Sequence, residues 1–257
     1  MKITVAKVWV ATVLVIMGMQ GVYAADGLRI GTGFDYSSGE YGGTESTDIL
    51  YIPLTGSYES GRFLYRLTVP YIQITGPGNV VREVGSVRSA ASTARTTQSG
   101  LGDIVAGVSY NLLPGEGSQP LLDVTGKVKF GTADEVKGLG TGETDYTLQA
   151  DIAKTYGKTT LFGTLGYKWL GDTSATNFND VVLGSFGGSY KFTAEVSGGL
   201  ILDAREASTA SGSAQTELTA FVGRKLSGAM RLQGYGVVGF TDGSPDWGLG
   251  ATISTGF

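Results

Sequence analysis

In Trp247-Gly-Leu-Gly-Ala-Thr-Ile-Ser-Thr-Gly-Phe257, large apolar and small residues alternate. Trp247, Leu249, Ala251, Ile253, Thr255 and Phe257 fall on one face of a period-2 strand; Gly248, Gly250, Thr252, Ser254 and Gly256 fall on the other. The stretch is long enough to cross a bilayer as a tilted strand, which takes about 9–11 residues. Such a strand cannot be left at an open edge, because its unpaired backbone groups would template aggregation. A partner with matching alternation stands at the other end of the chain. There Leu28, Ile30, Phe34 and Tyr36 face one way, and Arg29 and Asp35 the other. Pairing the two would remove both edges of the sheet between them.

The intervening chain repeats the pattern, with no helical period. Outward sets are read at Leu50, Ile52, Leu54 and Tyr58; at Phe63, Tyr65, Leu67, Val69 and Tyr71; and at Ile104, Ala106, Val108, Tyr110 and Leu112. They continue at Val124, Val128 and Phe130; at Tyr146, Leu148 and Ile152; at Leu161, Leu165, Tyr167 and Trp169; and at Val182, Phe186 and Tyr190. The last are Val196, Leu200 and Leu202; Leu218, Ala220 and Val222; and Met230, Leu232, Val238 and Phe240. Pro53, lacking an N–H, belongs at a bulge or a locally unpaired position. The reading gives twelve strands, an even number as in bacterial single-chain membrane barrels. Connections alternate short (near 59–61, 114–119, 155–158, 192–194, 225–228) and long (near 37–47, 75–99, 131–143, 171–179, 205–214, 241–246). Aromatic residues gather at both strand ends on the outward face, where amphipathic rings suit a membrane interface.

Period 2 alone does not separate a membrane barrel from a soluble one, whose apolar face would point inward. The charges decide it. Arg29, Asp35, Arg66, Asp103, Asp123, Lys127, Lys129, Asp145, Asp151, Lys168, Lys191, Glu195, Asp203 and Arg231 lie opposite the aromatic face. Burying them all in a soluble barrel would cost several kcal/mol per unpaired ion, whereas a wet lumen accommodates them. The fold class expected is therefore all-β, a transmembrane antiparallel up-and-down β-barrel of about twelve strands with short periplasmic turns and long extracellular loops. As lumen-lining candidates these residues have two roles open to them: pairing across strands as filler, or lining a narrow polar path. Lys127, Lys129 and Lys168 hint at anion preference.

Lys2 and Lys7 precede the apolar run Val8–Met17, followed by Val22-Tyr-Ala24. That is the pattern of a signal peptide over residues 1–24, leaving 25–257 as a single outer-membrane barrel domain. With no Cys and no His among 257 residues, Ser-His-Asp, Cys-His and His-dependent zinc chemistry are impossible. No catalytic, cofactor or metal residues are assigned. A net charge of −4 offers no basic footprint for nucleic acid. Glycine, at 42 residues, exceeds twice its usual share of about 7%, without a collagen period.

Residues 75–99 form the longest connection, beyond ordinary loop length. Arg82, Arg88 and Arg95 make it locally basic, and three roles stay open to it: a constriction folded into the mouth, a contact for lipopolysaccharide phosphates, or a mobile surface loop. Gly157-Lys-Thr-Thr160 echoes half a phosphate loop, but Ile152 stands where its first Gly belongs, so it reads as a tight turn.

The terminal strand resembles the closing strand of bacterial outer-membrane barrels, which implies Phe257 as an assembly signal for the barrel assembly machinery. Val69-Pro-Tyr-Ile72, Ser99-Gly-Leu-Gly-Asp-Ile104, Lys129-Phe-Gly-Thr132, Leu139-Gly-Thr-Gly142, Tyr235-Gly and Gly243-Ser-Pro-Asp246 resemble the family of outer-membrane transporter-like barrels linked to the MetA pathway of phenol degradation. Gly131 stands where that family often has Pro. The resemblance implies a bacterial outer-membrane location. It also implies a monomeric passive channel for small solutes, aromatic or anionic compounds among them. The expected surroundings are outer-membrane lipid and lipopolysaccharide. A non-conducting structural or surface-interaction barrel is the alternative. The inner face of the closing strand is expected to add space to the lumen. Gly250→Arg should then narrow the bore without harming folding, whereas Ile253→Arg should impair insertion.

Overall fold

Alternation becomes strand throughout the computed structural model, which describes residues 27–77, 80–81, 85–86, 94–174, 176–210 and 212–257. The signal peptide read over residues 1–24, together with Arg82 and Arg88, lies outside them. The strands are β1 (Gly27–Gly39), β2 (Thr47–Ser60), β3 (Phe63–Gly76), β4 (Val80–Val81), β5 (Gly85–Ser86), β6 (Thr96–Leu101), β7 (Ile104–Pro114) and β8 (Leu121–Phe130). They continue as β9 (Asp145–Tyr156), β10 (Thr159–Trp169), β11 (Val181–Lys191), β12 (Val196–Arg205), β13 (Gln215–Lys225), β14 (Met230–Gly239) and β15 (Trp247–Gly256). Each barrel strand pairs antiparallel with its sequence neighbours, and β15 closes on β1 from Arg29↔Gly256 to Ser38↔Trp247. The edges of the sheet are thereby removed, and the ring has twelve strands because β6 and β7 are two halves of one.

That composite strand departs from the sequence reading, which begins it at Ile104 and leaves residues 75–99 as loop. β6 pairs with the upper half of β3 (Tyr71↔Leu101) and β7 with its lower half (Thr68↔Val105), so the register slips by one residue between them. Pro70 is the physical reason: it has no N–H for the ladder, and the bulge Gly102-Asp103 lies across from it. Gly102 still donates its N–H to the Pro70 carbonyl at 2.9 Å. The barrel wall thus extends up to Thr96, while β4 and β5 form a separate two-stranded pairing. Pro53, opposite Pro70 across β2–β3, sits where pairing between β1 and β2 lapses at Gly33 and Phe34 with no change of register.

Two-residue turns Gly61-Arg62 and Gly157-Lys158 close β2–β3 and β9–β10, each with φ near +60° at the glycine (56° and 61°), a conformation that other residues resist. All the short turns lie at one end and the long loops at the other. Outward residues such as Leu54, Leu165 and Phe186 are well exposed, and they form an apolar belt. Rings bracket it. Tyr36 meets Trp247 at 5.6 Å and Tyr167 meets Trp169 at 4.9 Å at the long-loop end, and Phe63 meets Tyr110 at 5.0 Å at the other. A closed ring with such a belt satisfies its backbone internally and faces hydrocarbon outside. The chain is an outer-membrane β-barrel.

Candidate functional site

The inward face is layered, and the layers follow from which strand positions carry which chemistry. At the short-turn end a cavity of about 470 Å³ opens between the turns. Lys154, Lys158, Lys191, Arg224, Lys225 and Arg231 line it, and Glu195 is the one carboxylate among the described lining residues. Lys154 is tied back to the Gly117 and Gln119 carbonyls at 2.9 and 2.8 Å. The floor is apolar. Leu121, Ala153, Phe162, Ile201 and Phe221 point inward and pack together, with Tyr235 against them.

Above that floor lies a polar layer. The Asp151 carboxylate accepts from Gln149 Nε2 at 2.8 and 2.9 Å, from Thr164 Oγ1 at 2.7 Å and from Thr125 Oγ1 at 3.2 Å. Lys127 donates to Gln149 Oε1 at 2.5 Å, and Asn111 Nδ2 to Asp123 at 2.6 Å. Tyr235 reaches over Gly250 and donates its hydroxyl to Asp35 at 3.1 Å. Thr219, Gln233, Glu217 and Arg205 are also buried inside the barrel. The interior is therefore packed across its middle. Charges there are held by partners, which is the condition under which burying them is tolerable.

Toward the long loops, Lys129 Nζ lies 3.1 Å from Asp103 and 3.2 Å from Asp145, and Lys168 Nζ lies 2.9 Å from Asp145. Lys129 also donates to Thr141 at 3.2 Å, and Asp103 accepts the Ala133 N–H at 2.9 Å. Two lysines and two aspartates thus cancel charge and bind the β8–β9 loop to the wall. The same loop carries Ala133 and Leu139 into a second apolar cluster with Tyr41, Ile49, Tyr51, Ile72, Ile74 and Val80. This cluster caps the interior at the extracellular end.

The family pattern described as "putative MetA-pathway of phenol degradation" matches residues 25–255. The chain belongs to this family. In this member, four of the short stretches that carry the resemblance converge on one place. Pro70 faces the Gly102-Asp103 bulge, Asp103 pairs with Lys129, and Thr132 Oγ1 accepts the Ile104 N–H at 2.9 Å and donates to the Gly102 carbonyl at 3.2 Å. Thr141 completes the lysine's contacts. Gly131 is obligatory here, since a Cβ would fall 2.0 Å from the Gly142 carbonyl oxygen.

No curated protein matches the sequence. Among solved structures, the chain is similar to the β domain of the Bordetella autotransporter BrkA (13% identity, 91% of this chain and 100% of that one, TM-score 0.55). It is also similar to the translocator domain of the autotransporter NalP from Neisseria meningitidis (11% identity, 95% and 91%, TM-score 0.54). The porin NanC follows at 10% identity, 89% and 98% coverage and a TM-score of 0.50. At these identities the likeness is one of fold.

Arg29, Asp35, Arg66, Asp103, Asp123, Lys127, Lys129, Asp145, Asp151, Lys168, Asp203 and Arg231 stand on inward positions, while Lys191 and Glu195 sit exposed at the short-turn rim. Arg95 is at the outer rim of the long-loop end. It bonds Asp48 at 2.6 Å and the Ser46 carbonyl, fastening the base of its loop to β2. Phe257 is exposed, its N–H donating to the Leu28 carbonyl at 2.8 Å. Sequence reasoning missed Arg205 and the inward apolar residues Ile49, Tyr51, Ile72, Ile74, Phe162, Ile201 and Phe221. It also gave the closing seam open space, which Tyr235 fills. For Ile49, Tyr51, Ile72 and Ile74 the signal was present as apolar residues on both faces of β2 and β3.

Proposed function

We propose that this barrel is a passive outer-membrane channel for small solutes, aromatic or anionic compounds among them, acting without catalysis. The observation that carries the reading is the layered interior: a basic vestibule at the periplasmic end, an apolar floor, a paired polar layer above it and an apolar cap. Proteins that only anchor a surface gain nothing from a charged, concave entrance, whereas an entrance of one sign concentrates counter-charged solutes. The inward Lys and Asp side chains would be the walls of the path, and the cap and the Lys129–Asp103–Asp145–Lys168 group would be its closure. Export by residues 1–24, contact with lipopolysaccharide and a monomeric state complete the proposal. Liposome swelling with refolded protein tests it. Aromatic acids should permeate faster than sugars of similar size, and equal rates with empty liposomes would overturn it.

A non-conducting structural or surface-interaction barrel is the second reading, and the packed middle of the interior is the observation in its favour. Under that reading the Ser/Thr-rich loop near 208–213 would carry the role, and its deletion would abolish partner binding while leaving swelling rates at the empty-liposome value.

A further inference from the structure

We infer that the vestibule at the short-turn end is a binding site for a small aromatic carboxylate. This rests on the channel reading and names the solute class for it. The cations stand at the rim and the aromatic rings at the floor, so the cavity is two-sided in the same sense as such a molecule. Lys158 and Lys191 are brought together by the turn, where Lys191 donates its N–H to the Lys158 carbonyl at 2.8 Å. Across the opening, Lys225 and Arg231 are register partners on β13 and β14. Behind Arg231, Arg29 flanks β15 opposite Gly256, and its Nη1 is buried with no hydrogen-bond partner among the described residues. Glu195 is occupied in its own turn, accepting from the Thr193 hydroxyl at 3.1 Å. Positive charge in a concave, low-dielectric wall focuses the field on whatever enters, and guanidinium groups hold a carboxylate through two parallel bonds.

The floor argues for a ring. Phe162 lies against Gly187 and Phe221 against Gly199, so close that an added Cβ would fall 2.5 and 2.9 Å from them. Both rings are thus held against the barrel wall by glycines; each is more than nine-tenths buried and borders the cavity, where a second ring meets it in offset or edge-on geometry. Leu121 and Ala153 close the floor around them. A carboxylate alone would gain nothing from the apolar floor, and an uncharged ring would gain nothing from the excess of positive charge at the rim, which Glu195 and the Glu59 near Arg231 offset only in part.

Benzoate binding to the refolded full-length barrel, read by titration calorimetry, tests this independently of conductance. Benzoate should bind at least about tenfold more tightly than acetate or benzyl alcohol, a gap of about 1.4 kcal/mol or more. Lys191→Gln with Arg231→Gln should lose at least about tenfold for benzoate and leave benzyl alcohol unchanged. Phe162→Leu with Phe221→Leu should bring benzoate down toward acetate. Heat-modifiable gel mobility confirms that each variant is folded; if the double variants fail that check, Lys191→Gln alone, at an exposed position, still reads the rim. Equal affinity for benzoate and acetate, or unaltered benzoate binding in folded rim variants, would overturn the inference. A barrel that binds benzoate but passes no current refutes the channel reading alone. One that conducts but ignores benzoate refutes this inference alone.

Discussion

At the scale of the residue, the two faces of β15 make opposite demands three positions apart. Ile253 faces lipid, so Ile253→Arg should cost about 2–4 kcal/mol near the bilayer midplane and show as loss of the heat-modifiable folded band. Gly250 faces inward, but the Tyr235 ring already occupies its space: a Cβ would lie 2.4 Å from it. Gly250→Arg should therefore also lower refolding yield, and Gly250→Arg combined with Tyr235→Ala should recover it. Lys129 gives a second contrast. Lys129→Met leaves Asp103 and part of Asp145 buried without their partner, a loss of about 3–5 kcal/mol. Lys137→Met breaks only the exposed pair with Asp134 and should cost about 0–1 kcal/mol. Urea unfolding followed by tryptophan fluorescence separates the two. The outward residues of each strand were legible in the sequence because lipid requires an apolar group at every second position. Inward residues were legible where charged, polar or small. Phe162 and Ile201 escaped because hydrophobicity on both faces of a strand carries no sign of direction.

Among the described elements, the β8–β9 loop is held over the mouth by its own side chains. Leu139 pins it inside the mouth and Thr141 joins it to Lys129, so residues 131–144 cover the interior rather than trail in solvent. Leu139→Asp should undock the loop, which would speed tryptic cleavage after the exposed Lys137 and raise single-channel conductance. Unchanged cleavage would show that Leu139 does not hold the loop. The alternation of short and long connections was readable from glycine and polar clusters, and so was the number of strands. The joint between β6 and β7 was not, because its cause lies on another strand: Pro70 withdraws a donor, and the bulge at Gly102-Asp103 answers it. The meeting of Asp103, Lys129, Thr141 and Asp145 likewise depends on register across three strands, which no local pattern reports.

For the whole molecule, the closed ring accounts for the outer surface, and the layered interior accounts for what the barrel could pass. Behind a basic entrance on one side, an apolar floor and cap and the neutralised charges between them fill the middle of the interior, so under the proposed channel reading the path is narrow and gated. A bore of this strand number is partly filled by its own side chains, so conductance should be small. Planar-bilayer recording of refolded, heat-modifiable protein is the most direct measurement. Discrete openings of low conductance with preference for anions, enlarged in Leu139→Asp, are the predicted result. Silence from a correctly folded barrel, in the wild type and in that variant alike, would contradict the account.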